Sequence, residues 1–123
     1  MLKDSLYTIK EITGTGKVIE AAVELNVEHE IFKGHFPVHA VLPGACMMQM
    51  VKEILELSFN EKLQLVKAEE IKFLRMIEPR PNTSIIFSIE CDSGKDSPLN
   101  INAIITKDNI VCFKMKAFYK AGA

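Results

Sequence analysis

The chain has 123 residues, 48% of them hydrophobic and 25% charged, the size and balance of one globular domain with one core. A net charge of −1 excludes bulk electrostatic attraction to nucleic acid, and no apolar run approaches the roughly 18 residues that span a bilayer. The stretch from Met1 to Lys17 lacks the apolar centre of a secretion signal, so a single cytoplasmic domain, 1–123, is expected.

Tyr7 to Ile12 reads as a first strand, and Thr13-Gly14-Thr15-Gly16 as the turn after it. Val18 to Val27 alternates: Ile19, Ala21, Val23, Leu25 and Val27 share one face, with Glu20, Glu24 and Asn26 opposite. This predicts a half-buried strand. From His29 to Leu42 no period holds, and Gly34, Pro37 and Pro43 break structure. Pro43 suits the first position of a helix, where its missing N–H costs nothing.

A helix is predicted from Pro43 to Phe59, with Asn60 as its stop. Its first half, Ala45 to Val51, is apolar nearly all round, which predicts burial on every side. Its second half, Lys52 to Leu57, is amphipathic and should reach the surface. Leu63 to Leu74 is a long strand, irregular near Glu69-Glu70, and Ser84 to Cys91 is the next. Leu99, Ile101, Ala103 and Ile105 alternate with Asn100 and Asn102. Phe113, Met115, Ala117 and Tyr119 alternate with Lys114, Lys116 and Lys120. Asp108-Asn109 joins these two as a hairpin. The class is α+β: one long helix wrapped by a curved antiparallel sheet of five or six strands. One sheet cannot cover such a helix completely, so a second copy is expected to complete the cover.

Cys46, Cys91 and Cys112 fit no zinc spacing and read as reduced, buried thiols. His29, His35 and His39 lack helical spacing and a carboxylate pattern, so no metal is expected, and no cofactor is implied. His29 and His39 read as exposed or supporting residues. His35, just before the helix, has the near-neutral pKa of a general base. The residues flanking the helix start, Val41-Leu42-Pro43-Gly44, include no capping side chain. The first amides are therefore open to a ligand oxygen, and Gly44 lets a carbonyl approach closely.

Gly34-His35-Phe36-Pro37, followed by Leu42-Pro43-Gly44 and an apolar helix, resembles the FabZ/FabA-like β-hydroxyacyl-acyl-carrier-protein dehydratases, a hot-dog family. Ile71-Lys72-Phe73-Leu74-Arg75 is similar to that family's strand after the helix, and the resemblance covers most of the chain. It implies a dimer in which two sheets join. It also implies dehydration of a 3-hydroxyacyl thioester, carried by acyl carrier protein or CoA, with His35 as the base and the Gly44 amide polarising the thioester carbonyl. Phe36, Pro37, Pro43 and Met48 would line the substrate site, with Met47 and Met50 as further tunnel candidates. Where the family carries a carboxylic acid on the helix, this chain has Gln49, which cannot deliver a proton at neutral pH. The chain also departs from the family's Gly and Pro after the motif, reading Val38-His39-Ala40-Val41. Three readings follow: a dehydratase altered by Gln49, an acyl-binding or heterodimeric subunit whose other chain supplies the acid, or a thioesterase in which Gln49 positions water. Lys72, Arg75 and Arg80 are candidates for docking an acidic carrier protein.

Overall fold

The computed structural model describes residues 1–14, 17–33, 40–93 and 99–122. Six strands form one antiparallel sheet: β1 (Tyr7–Gly14), β2 (Val18–Leu25), β3 (Leu63–Phe73), β4 (Ser84–Ser93), β5 (Leu99–Lys107) and β6 (Ile110–Ala121). Their order across the sheet is β1-β2-β4-β5-β6-β3. The long helix, α1 (Gly44–Phe59), packs its apolar face on that sheet, the hot-dog arrangement.

The period-2 patterns predicted for β2, β5 and β6 bury the faces they should, except that β2 ends at Leu25 and leaves Val27 beyond it, half-buried; β4, for which no period is predicted, follows the same rule. Ile19, Ala21, Val23 and Leu25 of β2 turn inward, as do Ile85, Phe87 and Ile89 of β4 and Ile101, Ala103 and Ile105 of β5. Phe113, Met115, Ala117 and Tyr119 complete the inner face from β6. Against them the helix places Cys46, Met47, Met50, Val51, Ile54 and Leu55. Fully burying one such aliphatic or aromatic side chain stabilises by about 1.5–3 kcal/mol, so this shared face is what holds helix and sheet together. All three cysteines are free and buried in it or beside it.

Asp108 and Asn109 both take left-handed backbone, φ 53° and 64°, the geometry a two-residue hairpin needs. The expected irregularity in β3 is present: its pairing with β6 slips between Ala68 and Glu70, and also between Leu65 and Lys67. The predicted turn at 13–16 begins later than expected. Thr13 and Gly14 still pair with Glu20 and Ile19, so β1 runs on, and residues 15 and 16 lie outside the described set.

Three expectations about the helix need correction. Pro43 is its N-cap and not its first residue, because ψ of 147° leaves it extended while its carbonyl accepts from the Cys46 and Met47 amides. The first half is not covered on all sides: Ala45 is exposed, and Met48 and Gln49 are half-buried. The second half does not simply reach the surface, because Glu53 is 2% exposed. No helix among the described residues is long and apolar enough to cross a membrane.

The sheet's two edges differ in what they expose. Along and just beyond β3, Leu65, Val66, Phe73, Leu74 and Met76 are all large, apolar and open to solvent. An edge strand with free backbone groups and apolar side chains is ready to pair with another chain.

Candidate functional site

The helix entrance is built by contacts from distant parts of the chain. The Leu42 amide donates to the Ile77 carbonyl at 2.8 Å, and both side chains are buried. The Leu74 and Arg75 amides both donate to the Cys112 carbonyl, which ties the end of β3 to β6. These bonds bring Phe73 beside the first residue of the helix. The Phe73 ring lies 5.4 Å from that of Phe113, tilted by 55°. A Cβ on Gly44 would come within 2.6 Å of the Phe73 ring. Gly44 therefore lets the Phe73 ring seat on the helix start, where a larger residue would push it aside.

No side chain caps α1, and no acidic residue occupies its first turn. The amides of Cys46 and Met47 are paired with Pro43, at 3.1 and 3.2 Å. No described backbone carbonyl or side chain accepts from Gly44 or Ala45. An uncapped helix start presents positive partial charge to whatever oxygen arrives there. The residues expected to face it, His35 with Phe36 and Pro37, lie outside the described residues, as does His39. Pro43 and Met48 are half-buried at the entrance and on the open side of the helix. Met47 and Met50 are core residues, 4% and 0% exposed.

Gln49 sits on the incompletely covered stripe formed with Ala45, Met48, Lys52 and Glu56. Its amide nitrogen donates to Glu53 Oε2 at 2.9 Å, one helical turn on. Glu53 also accepts from the Leu2 amide at 2.9 Å, the Lys3 amide at 2.8 Å and the Tyr7 hydroxyl at 3.0 Å. Burial alone would push the Glu53 carboxyl up. The donated bonds from Leu2, Gln49, Lys3 and Tyr7 outweigh that and hold it below the usual carboxylate range. Burial, then the neighbouring Glu53 carboxylate, pushes the Tyr7 hydroxyl far up, so it stays a donor. Glu53 is thus held as an ionised acceptor with four groups donating to it.

Glu53 was not among the residues expected to matter. The available signal was its place in the helix: it lies between Met50 and Ile54 on the buried face, where a lone carboxylate needs partners. Its partners come from the amino-terminal turn, which no local pattern connects to the helix.

Other candidates resolve more simply. His29 Nδ1 accepts from the Ile31 amide at 3.1 Å and caps a short 3₁₀ turn, Glu30–Phe32. Burial pushes the Cys46 thiol up, the wrong direction for a nucleophile. Lys72 pairs with Glu70 at 2.9 Å and Arg80 with Glu78 at 2.6 Å, while Arg75 is exposed.

A family model described as ApeI-like, ApeI dehydratase, matches residues 11–114. The 3-hydroxyacyl-[acyl-carrier-protein] dehydratase FabZ of Oenococcus oeni is 24% identical over 101 residues, 76% of this chain and 71% of that protein. Among solved structures, a dehydratase heterocomplex, ApeI:P, from Xenorhabdus doucetiae superposes with a TM-score of 0.75 at 18% identity, covering 91% of this chain and 96% of that one. A hypothetical thioesterase from Streptococcus pneumoniae, solved with coenzyme A, superposes with a TM-score of 0.68 at 10% identity, covering 98% and 92%.

Proposed function

The chain belongs to the ApeI-like dehydratase family, and on that footing we propose that it handles 3-hydroxyacyl thioesters of acyl carrier protein or CoA as a dehydratase or the acyl-binding part of one. The observation that carries this reading is the helix start: Gly44 and Ala45 without a side-chain cap, following closely on Gly34-His35-Phe36-Pro37. The thioester carbonyl would accept from the Gly44 amide, which stabilises the negative charge that develops on its oxygen. His35 would remove the proton at C2. The electron pair left there forms the C2–C3 double bond and expels the C3 hydroxyl, giving an enoyl thioester and, once the hydroxyl is protonated, water.

That last proton must come from an acid, and neither Gln49 nor the ionised Glu53 supplies one. An acid from a second chain is the source that fits the exposed apolar edge at β3. The Xenorhabdus doucetiae relative belongs to a dehydratase heterocomplex, so a partner of different sequence, as well as a second copy of this chain, belongs in the test. Lys72, Arg75 and Arg80, exposed near the end of β3 and beyond it, would meet an acidic carrier.

The test is to incubate the chain with a 3-hydroxyacyl thioester and follow enoyl absorbance and free thiol, alone and with a related family partner. Enoyl formation that falls by at least about 10²-fold in His35→Ala supports dehydration. Thiol release without enoyl product overturns it in favour of a thioesterase. Enoyl formation only with the partner present assigns the acid to the other chain.

A further inference from the structure

The polar cluster under the Gln49 side chain fixes which way its amide faces. An ionised carboxylate only accepts, so the group Gln49 turns toward Glu53 must be its NH₂. The oxygen of the same amide is then the end not bonded to Glu53, on a half-buried side chain that shares its stripe of the helix with exposed Ala45 and half-buried Met48. No described residue donates to it. Glu53 itself cannot turn aside, because the Leu2 and Lys3 amides and the Tyr7 hydroxyl hold both of its oxygens. Tyr7 is fully buried in β1, and the Lys3–Asp4 pair lies in the same amino-terminal turn. Glu56, one turn further, accepts from the Leu63 amide and faces away to β3.

We propose that Glu53 is a positioning residue: it holds Gln49 with its amide nitrogen inward and its oxygen outward, so that the acyl site offers an acceptor. Such a site selects acyl chains that carry a hydroxyl donor at C3 over chains with a 3-keto group or no substituent there. This deepens the thioester reading and rests on it. A glutamine in this orientation recognises the 3-hydroxyl without protonating it, a binding role that survives whichever chain supplies the acid. An outward acceptor finds a donor in a 3-hydroxyl and none in a 3-keto oxygen, and that difference is the source of the discrimination.

The experiment measures affinity of the full chain for 3-hydroxyhexanoyl and 3-oxohexanoyl amides of aminopantetheine, in which C–N replaces the thioester C–S bond. In the wild type the hydroxyl should tighten binding about 5–10-fold. In Glu53→Gln, whose own amide both donates and accepts, Gln49 is free to turn over. A turned amide offers its NH₂, which donates to a hydroxyl or a keto oxygen alike, so the ratio should then fall to about 2-fold or less through tighter 3-oxohexanoyl binding. Tyr7→Phe, which leaves the carboxylate charged and bonded to Gln49, should keep the wild-type ratio. Equal weakening of both ligands in Glu53→Gln, or a ratio that matches the wild type, overturns the proposal. If Glu53→Gln does not fold, Glu53→Asp, which withdraws the charge by one methylene, carries the same comparison. Failure of the wild type to bind either amide overturns the thioester reading and the selectivity with it. The Gln49 side-chain NH₂ resonance, identified by its absence in Gln49→Ala, reads the anchoring without any ligand. A resonance that shifts in Glu53→Gln supports it, and one that does not move overturns it.

Discussion

The start and the middle of α1 treat hydrogen-bonding groups in opposite ways. At Gly44 the helix has donors and no side-chain acceptor. At Glu53 an acceptor is surrounded by donors from the helix, from β1 and from the amino-terminal turn. A free donor at a helix start is tolerable because water or a ligand can fill it. A free carboxylate in the core is not, because desolvation costs several kcal/mol unless it is paired. The difference separates a polar group left open for a ligand from one already satisfied by the fold. Gln49 lies between them and shares in both, with its nitrogen bound to the inner cluster and its oxygen left out of it.

The comparison is broken most strongly by Gln49→Glu. The new carboxyl would lie against Glu53, and two carboxylates at that separation cannot both ionise. The pair would share a proton at neutral pH, and the donated O–H would replace the amide N–H. This places a general acid at the helix position where the resemblance implies one. Enoyl formation is expected to rise by about 10²–10⁴-fold, or about 3–5 kcal/mol in barrier. Because the shared proton is lost as pH rises, the gain should fade on the alkaline side. Adding Glu53→Gln should move that fading to lower pH. Absorbance assays across pH check both parts, and an unchanged rate would show that position 49 does not face the reacting carbons.

The next effect is on stability. Glu53→Ala leaves the buried Tyr7 hydroxyl and the Gln49 amide without their acceptor, at an expected cost of about 3 kcal/mol in urea unfolding. Amide exchange at Leu2, Lys3 and Leu6 should accelerate more than exchange in β4 and β5. The same cluster sets an acid limit. Glu53 is depressed in the folded state, so its contribution is complete above the unfolded carboxyl value, about 4.3. It is lost as pH falls through the lower folded value. Tyr7 is raised, so its contribution is complete below the unfolded phenol value, about 10, and is lost as pH climbs beyond it. Tyr119, pushed up to about 12 by burial and then by Glu56, adds to the alkaline side. Melting temperatures should therefore be flat between about pH 5 and 9 and fall outside that window. In Glu53→Gln the acid limb should be shallower.

Gly44→Ala sharpens the entrance side of the comparison. Its methyl group would displace the outer end of the Phe73 ring, a group that can swing away. The expected cost is about 1–2 kcal/mol, and Phe73→Ala in the same chain should recover most of it. If the single change left stability untouched, Phe73 would not be seated on Gly44 in solution. Tyr7→Phe is the mildest change, about 1 kcal/mol, because the ring stays and only one of the donors to Glu53 goes.

Much of the fold is legible in the residues taken in order. β2, β5 and β6 alternate because one face of each is buried and the other is not, whereas the apolar run Ile85-Ile86-Phe87 of β4 shows its inward face only in the structure. Asp108-Asn109 marks its hairpin because those residues tolerate left-handed backbone. The bare helix start is legible too, since Leu42, Pro43 and Gly44 have no capping atoms whatever their surroundings. By contrast, Glu53 reads locally as one more charge on an amphipathic helix. Its partners at Leu2, Lys3 and Tyr7 are about fifty positions away, and periodicity cannot reach them. His29 reads as an exposed or supporting residue, and its Nδ1 caps its own short turn.

By itself the sequence determined the type of the main elements and their order, the long helix behind a Gly-His-Phe-Pro motif, and the presence of an amide where an acid was expected. These follow from local preferences and burial periods, which act over a few residues. Tertiary structure alone decided that Glu53 is buried and saturated, that Phe73 closes on Gly44, and which end of the Gln49 amide is tied to Glu53. Those outcomes depend on groups far apart in the chain meeting where water is excluded, and there each donor must find an acceptor or pay the full cost of desolvation.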